Sequence, residues 1–324
     1  MARFAGRDGR RALTRAMRLA STIASPLFFL CAGTFAGEPA PTLDVQEVAS
    51  GVFVHSGKTL ALDVAGHDDI ANIGFIVGER CVAVVDTGGS VRIGRALLAT
   101  IHQRTRKPIC YVINTHDHVD HVLGNVAFQA DKPSFVGHAN LGAALARDRA
   151  LFVEHYGNDF DAPATAAQIV SPDKTVETTL DIDLGGRRLT LRAWPKAHTD
   201  CDLTVQDEKT GTLWTGDLVF RERIPALDGS VLGWLEDLED MEHMTPNIVV
   251  PGHGPVTRDL AGAIAPERRY LQALRDGVRA AIAHGDPIEQ ATREVALEEK
   301  SKWPLWDTAH AHNVSRAYQE LEWE

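Results

Sequence analysis

The stretch Thr115-His116-Asp117-His118-Val119-Asp120-His121 places three histidines and two aspartates within six residues. Burying several imidazoles together is unfavourable unless each has a partner, and neutral imidazole and carboxylate are ligand types that suit Zn²⁺. The apolar, β-branched run at 109–113, directly before the stretch, is typical of a buried strand. The sequence therefore predicts a metal site just past the carboxyl end of a strand, followed by a helix over 122–128.

Four further motifs carry histidine or aspartate after, or at the end of, apolar runs. They are Val84-Val85-Asp86-Thr87-Gly88-Gly89, Ala197-His198-Thr199-Asp200, Trp214-Thr215-Gly216-Asp217 and Pro251-Gly252-His253-Gly254-Pro255. Taken in order with the first stretch, they resemble the motif set of the metallo-β-lactamase superfamily. A cluster of solvated surface side chains, which is the alternative, does not account for five motifs in the family's order.

The pattern of apolar residues alone predicts an α/β fold, because strand-like runs alternate with helical stretches such as 93–104 and 139–156. The segment 81–115 reads strand–helix–strand, which is typical of a parallel crossover. The resemblance makes the expectation specific. It implies a metallo-β-lactamase-type αββα sandwich, in which two mixed sheets pack face to face with helices outside.

The resemblance also implies two Zn²⁺ ions per chain, with iron as the alternative metal. The first ion is expected on His116, His118 and His198, the second on Asp120, His121 and His253, with Asp217 bridging both. Asp120 is the predicted catalytic residue, which orients the nucleophile and shuttles its proton. A metal-bridging hydroxide would then attack an ester, thioester, lactone or amide-type bond of a small-molecule substrate.

Six other residues are candidates for supporting roles. Asp86 and Asp202 are predicted to fix histidine tautomers by hydrogen bonding, with turn capping as the alternative. The candidate substrate contacts are Asn72, His67, Arg221 and Arg223. A solvated loop is the alternative for His67, and surface charges or salt bridges are the alternative for the arginines.

Segments 70–81, 222–230 and 317–322 extend the resemblance to a narrower family, the quinoprotein relay system zinc metallohydrolases of type 2. These are exported proteins whose substrate is not settled, so the resemblance implies a periplasmic quinoprotein or cytochrome as partner. Three other functions stay open. They are β-lactamase activity, which the aspartate at 217 disfavours, a non-catalytic metal-binding accessory role, and a mono-iron sulfur (persulfide) dioxygenase.

The chain has 324 residues, of which 44% are hydrophobic and 24% are charged, as in ordinary globular proteins. Residues 1–36 combine six arginines, an apolar stretch and small residues at the end, which predicts a signal peptide and a periplasmic or secreted protein. An uncleaved anchor and a misassigned start codon are the alternatives, and the export route, Sec or Tat, stays open. Residues 37–258 are then the catalytic domain, and the apolar stripes of 259–324 predict a C-terminal helical extension.

Removing residues 1–36 takes away six arginines and one aspartate, which moves the formal net charge from −11 to about −16. Such an acidic chain lacks the basic surface that binds nucleic acid. An anionic small substrate is not excluded, because a bound metal reverses the local field. The apolar stretch is too short and too interrupted for a comfortable membrane span, and no stable membrane insertion is expected once the signal is cleaved.

Three cysteines follow the predicted signal peptide. Cys81 and Cys110 open neighbouring predicted strands, and a disulfide between them is one alternative in an oxidising compartment. Two buried thiols are the expectation, because cross-strand geometry is restrictive. Cys201 is expected to be a buried small apolar side chain. His310 and His312, near the end of the chain, are expected to be solvated or to cap a helix.

Overall fold

The computed structural model describes residues 41–324, so the predicted signal peptide, residues 1–36, lies outside the described residues. Within 41–324, twelve strands form two sheets. The strands are β1 (Gln46–Ala49), β2 (Val52–His55), β3 (Ile73–Val77), β4 (Val82–Val85), β5 (Ile109–Ile113), β6 (Ser134–His138), β7 (Lys174–Val176), β8 (Thr179–Asp183), β9 (Arg188–Ala193), β10 (Leu203–Asp207), β11 (Thr212–Phe220) and β12 (Ile248–His253). One sheet runs in the order β1 to β7, and the other in the order β12-β11-β10-β9-β8.

Seven α-helices accompany the strands of this segment. They are α1 (Val91–Arg104), α2 (Val119–Val122), α3 (Leu141–His155), α4 (Val231–Glu242), α5 (Leu260–His284), α6 (Ile288–Glu294) and α7 (Trp306–Leu321). The helix predicted over 122–128 is instead a 3-10 stretch, Leu123–Asp131. The α-helical pattern stops there because the Gly124 amide donates to the Gly88 carbonyl, outside the helix.

The two sheets pack face to face, and helices cover both outer surfaces. Apolar side chains such as Val85, Leu191 and Trp214 fill the space between the sheets. Leu97 of α1 packs on the outer face of the seven-stranded sheet, and Trp234 of α4 lies in the core that covers the five-stranded sheet. The αββα sandwich implied by the resemblance is confirmed.

Two pairs of parallel strands bring functional loops together. The predicted crossover is confirmed, because β4 and β5 pair in parallel on either side of α1. In the second sheet, β11 and β12 also pair in parallel. The carboxyl ends of parallel neighbours lie at the same sheet edge. This arrangement places the residues that follow β4 and β5 beside each other, and likewise those at the ends of β11 and β12.

Cys81 and Cys110 form a disulfide between the starts of β4 and β5. The expectation of two free thiols is therefore wrong. The two strands are direct neighbours in the sheet, and the Cα atoms lie 5.8 Å apart, well within the range a disulfide spans. Cys201 is a free, buried cysteine, as expected.

Of the last three helices, α5 packs against β11 of the five-stranded sheet, and α7 packs on α5 and α6. The apolar stripes of all three join one core with α4. His310 of α7 is buried, so it is not solvated; its contact with the carbonyl of Val295, the C-cap residue of α6, corresponds to the capping alternative. Its Nδ1 lies 3.1 Å from the Tyr270 hydroxyl, and its Nε2 lies 3.0 Å from the Val295 carbonyl. Both ring nitrogens have partners there, which is why burial is tolerated. No helix within residues 41–324 has the length and apolar character to cross a membrane.

Candidate metal centre

The seven predicted metal ligands converge at the sheet edge, in two groups whose ligand atoms lie within 4.8 Å of one another. The groups are His116, His118, His198 and Asp217, and Asp120, His121 and His253. The residues come from the loop after β5, the short helix α2 that follows it, the loop between β9 and β10, β11 itself and the end of β12. The structure thus brings together every residue predicted to bind metal, in the predicted grouping.

Four of the five histidines use Nδ1 for a hydrogen bond directed away from the centre. The Nδ1 atoms of His116, His121, His198 and His253 pair with the Thr115 hydroxyl (3.0 Å), Asp86 Oδ2 (2.8 Å), the Ala226 carbonyl (2.6 Å) and the Ile70 carbonyl (2.8 Å). An imidazole that donates from Nδ1 keeps its lone pair on Nε2. All four Nε2 atoms are therefore available to a metal ion.

His118 is turned the other way round. Its Nε2 donates to Asp228 Oδ2 at 2.9 Å, which leaves the lone pair on Nδ1. That Nδ1 lies 3.1 Å from the Nε2 of His198. Two lone pairs that face each other at this distance repel unless a proton or a cation lies between them. A divalent cation satisfies both nitrogens at once.

Three buried atoms at the centre lack a hydrogen-bond partner among the described residues: His116 Nε2, His121 Nε2 and Asp217 Oδ1. A buried polar atom without a partner is unfavourable, and three of them converge here. A Cβ at position 252 would lie 1.8 Å from Asp217 Oδ1, so the glycine of the Pro251–Pro255 motif is what makes room for this carboxylate. The donor set and its unpartnered atoms fit bound divalent metal.

Charges within the centre are strongly coupled. Burial raises the pKa of Asp217, but His253, His121 and His116 outweigh burial and hold the pKa well below its usual range. Burial lowers the pKa of His121, yet the carboxylates of Asp217 and Asp120 outweigh it and raise the pKa well above its usual value. The centre thus stabilises carboxylates only while positive charge lies beside them, which protons or metal ions provide.

Asp86 organises the ligands after β5, as predicted. Its Oδ1 accepts from the Thr115 amide at 2.8 Å, and its Oδ2 accepts from the Thr115 hydroxyl and from His121 Nδ1, both at 2.8 Å. Asp86 has a φ of 53°, a left-handed conformation that aspartate tolerates better than most residues. One carboxylate therefore fixes the tautomers of two ligands, His121 directly and His116 through Thr115.

Asp228 and His312 support the centre in a way that sequence reasoning missed. Asp228 Oδ2 accepts from His118, while its Oδ1 lies 2.7 Å from Nε2 of His312 on α7. The expectation that His312 is solvated or caps a helix is incomplete, because its exposed ring also binds Asp228. In the sequence, segment 222–230 stands out only by its family resemblance, and an aspartate among these loop residues carries no ligand-spacing signal.

Two predicted supporting residues have structural roles instead. Asp202 contacts no histidine; its carboxylate accepts from the Thr199 amide at 2.8 Å and the Thr199 hydroxyl at 2.7 Å. The turn-capping alternative is therefore the right one. Asn72 is buried, donates to the carbonyls of Pro251 and Gly254, and accepts from the Gly57 amide. It holds the loop that carries His253, which leaves no free group for a substrate.

The remaining predicted substrate contacts differ in how many of their polar atoms are already hydrogen-bonded within the protein. His67 has both ring nitrogens engaged, by the Val64 carbonyl at 3.0 Å and by Asp159 at 2.9 Å. Arg221 donates to backbone carbonyls at 255 and 256. Arg223 lies beside the centre, with one nitrogen 3.3 Å from His253 Nδ1. Neither arginine forms an ion pair within the described residues, so the salt-bridge alternative is wrong for both.

Comparison with known proteins places the chain in a family. Residues 67–253 match the model of the metallo-beta-lactamase superfamily, and the chain belongs to this superfamily. Members are typically hydrolases, and the two ligand groups form a candidate divalent-metal site. No curated protein matches the chain.

Solved structures similar to this chain share its fold at low sequence identity. A metallo-beta-lactamase from Pontibacter korlensis is 20% identical with a TM-score of 0.57, over 71% of this chain and 99% of that one. The DIM-1 metallo-beta-lactamase is 15% identical with a TM-score of 0.55, over 72% and 98%. The inverting sec-alkylsulfatase of Pseudomonas sp. is 17% identical with a TM-score of 0.61, over 86% of this chain but only 50% of the sulfatase.

Proposed function

We propose that the protein is an exported dinuclear zinc hydrolase that cleaves an ester, thioester, lactone or amide-type bond. One observation carries the proposal. Five histidines each commit one ring nitrogen to an outward or flanking partner, so that five lone pairs and the carboxylates of Asp120 and Asp217 face one space. Bound zinc ions would lower the pKa of a water towards about 7 and polarise the target oxygen.

The residues of the chain have separate tasks in this proposal. Asp217 lies 3.7 Å from His116 Nε2 and 3.2 Å from the Nε2 atoms of His121 and His253, so it reaches both ligand groups. Asp120 Oδ2 lies 3.4 Å from His253 Nε2 and is buried. A carboxylate held there orients an attacking water and accepts its proton. Burial of the centre keeps bulk water from competing for the ligands.

Export to the periplasm is part of the proposal. The disulfide between Cys81 and Cys110 supports it, because stable disulfides form in oxidising compartments such as the periplasm. The signal-like residues 1–36 and the resemblance to quinoprotein relay metallohydrolases point the same way. A periplasmic quinoprotein or cytochrome partner follows from that resemblance.

A substrate panel tests the proposal. The zinc-loaded protein would be assayed on a thioester, a lactone, a cephalosporin, a phosphodiester and a secondary alkyl sulfate. We expect turnover of one class, loss of it after chelation and recovery on adding Zn²⁺. Asp120→Asn should abolish turnover, whereas the exposed Asp181→Asn should not. Bound zinc without any turnover would favour the accessory role, and a single iron without hydrolysis would favour the dioxygenase.

A further inference from the structure

A cleft of about 530 Å³ opens beside His118. One wall is α3, which contributes Leu151 and Phe152, and the other is α7, which contributes His312 and Arg316. His312 and Arg316 are four residues apart and therefore lie on the same face of α7. The cleft thus joins the metal centre to a helix that lies beyond the segment matched by the superfamily model.

Arg316 has an unpaired charge in this cleft. Its guanidinium donates to the backbone carbonyl of Asp228, and its Nε has no hydrogen-bond partner. The carboxylate of Asp228 is already bound by His118 and His312. Glu320, one helical turn further on, is engaged by the Ser230 hydroxyl and the Val231 amide. No carboxylate within residues 41–324 forms an ion pair with Arg316.

A second arginine of the same cleft provides a contrast. Arg147 contacts Asp148, Asp117 and Asp200 at 2.9, 3.3 and 3.6 Å, so acidic neighbours already neutralise its charge. Lys196 lines the cleft too, is exposed, and has no ion pair in the described part of the chain. Lys196 and Arg316 are thus the two cations of the cleft that pair with no carboxylate within residues 41–324, whereas the four aspartates of the cleft are engaged by Arg147, His118 and His312.

We propose that Arg316, assisted by Lys196, binds an oxyanion of the substrate, such as a carboxylate, at the end remote from the bond that is cleaved. A guanidinium presents a planar fork of donors that matches a carboxylate. Leu151 and Phe152 provide an apolar wall for the hydrocarbon segment between the two ends. The inference rests on the proposed hydrolase function and narrows the substrate class to anionic esters and thioesters.

The kinetic test uses two thioesters of one aryl thiol that differ only in the acyl group, succinyl or butyryl. The full zinc-loaded chain should prefer the succinyl substrate in kcat/KM. Arg316→Met, which keeps the apolar stem, should lower that preference at least about tenfold, mainly through KM, as expected for losing a charge-assisted hydrogen bond. Arg316→Lys should restore part of it. Arg293→Ala, an exposed arginine on α6, controls for loss of charge.

A binding measurement separates this proposal from the hydrolase proposal. Calorimetry with 4-phenylbutanoate and its neutral amide should show tighter, salt-sensitive binding of the anion to the wild type, and loss of that difference in Arg316→Met. Such binding in a protein that hydrolyses neither thioester nor any other substrate of the panel would support the anion site and overturn the hydrolase function. Hydrolysis of both thioesters with a preference unchanged in Arg316→Met would overturn the anion site and leave the hydrolase function standing.

Discussion

Two carboxylates support histidines of the candidate metal centre in this protein, and they are held in different ways. Asp86 and its partner His121 are 2% and 0% exposed, and both belong to the sandwich. Asp228 and its partner His118 are 41% and 27% exposed, and the second oxygen of Asp228 is bound by His312 of α7. We therefore expect the buried Asp86–His121 hydrogen bond to contribute to both folding and metal binding. The more exposed Asp228–His118 hydrogen bond should contribute chiefly to metal binding.

Loss of Asp120, the predicted catalytic residue, should have the largest effect. Asp120→Ala removes a carboxylate from the second ligand group without disturbing either support. We expect turnover on the identified substrate to fall about 10²–10⁴-fold, while the free energy of unfolding of the metal-free protein changes little. Steady-state assays and urea unfolding measure both. Turnover rates like those of the wild type would contradict the catalytic role of Asp120.

Asp86→Ala tests the buried support. It leaves the Thr115 amide and the ring of His121 without an acceptor in a dry environment. We expect a loss of about 3–5 kcal/mol in the free energy of unfolding and about 10–100-fold weaker Zn²⁺ binding. Urea unfolding and competition with a chelator are the measurements. If Asp86→Ala leaves the free energy of unfolding unchanged, Asp86 does not differ from Asp228 in its contribution to folding.

Asp228→Ala tests the exposed support. Solvent can replace its bond to His118, so we expect less than about 1 kcal/mol of lost stability. Zn²⁺ affinity should still fall about tenfold, because His118 loses the partner that fixes its ring. If this variant unfolds as readily as Asp86→Ala, the two supports do not differ as described.

His312→Ala removes the contact from α7 but leaves Asp228 in place. The expected loss of Zn²⁺ affinity is smaller than for Asp228→Ala, at most a few-fold. In the double variant Asp228→Ala/His312→Ala, the second substitution should cause no further loss of Zn²⁺ affinity, because His312 acts on the centre through Asp228. Additive losses in this double-mutant cycle would mean that His312 acts on the centre by another route.

The last prediction concerns His310, in the same helix as His312, and bears on stability and not on the metal centre. Burial lowers its pKa to about 4, below its ordinary value of about 6.5. Between about pH 6.5 and pH 4, His310 is therefore protonated in the unfolded chain but stays neutral in the folded chain. The stability contributed by neutral His310 is present above about pH 6.5 and is lost as pH falls towards 4. Thermal unfolding at pH 7.5 and 5 should show a weaker pH dependence in His310→Gln than in the wild type.

The sequence predicted the parts of the molecule that depend on short motifs. The ligand motifs and Asp86 lie at or after strand ends, and the superfamily resemblance that these motifs carry is what assigns their roles. Asp228 and His312 are 84 residues apart and meet only because α7 packs beside the loop after β11. Contacts of this kind follow from tertiary packing, which has no local pattern. Asn72 is a predicted substrate contact with a structural role for the same reason, because its three hydrogen-bond partners lie elsewhere in the chain.

The disulfide and His310 show a second limit. Whether Cys81 and Cys110 pair depends on the register of β4 and β5, which apolar runs alone do not fix. The burial of His310 depends on the Tyr270 hydroxyl and the Val295 carbonyl reaching its two nitrogens. In both cases the residue type allowed two outcomes, and the geometry of distant neighbours decided between them.

Elemental analysis of the purified, full-length chain tests the central claim most directly. The proposed function predicts two zinc ions per chain, falling to one or none in Asp217→Ala. A stoichiometry of one ion in the wild type, or iron in place of zinc, would contradict the dinuclear zinc account.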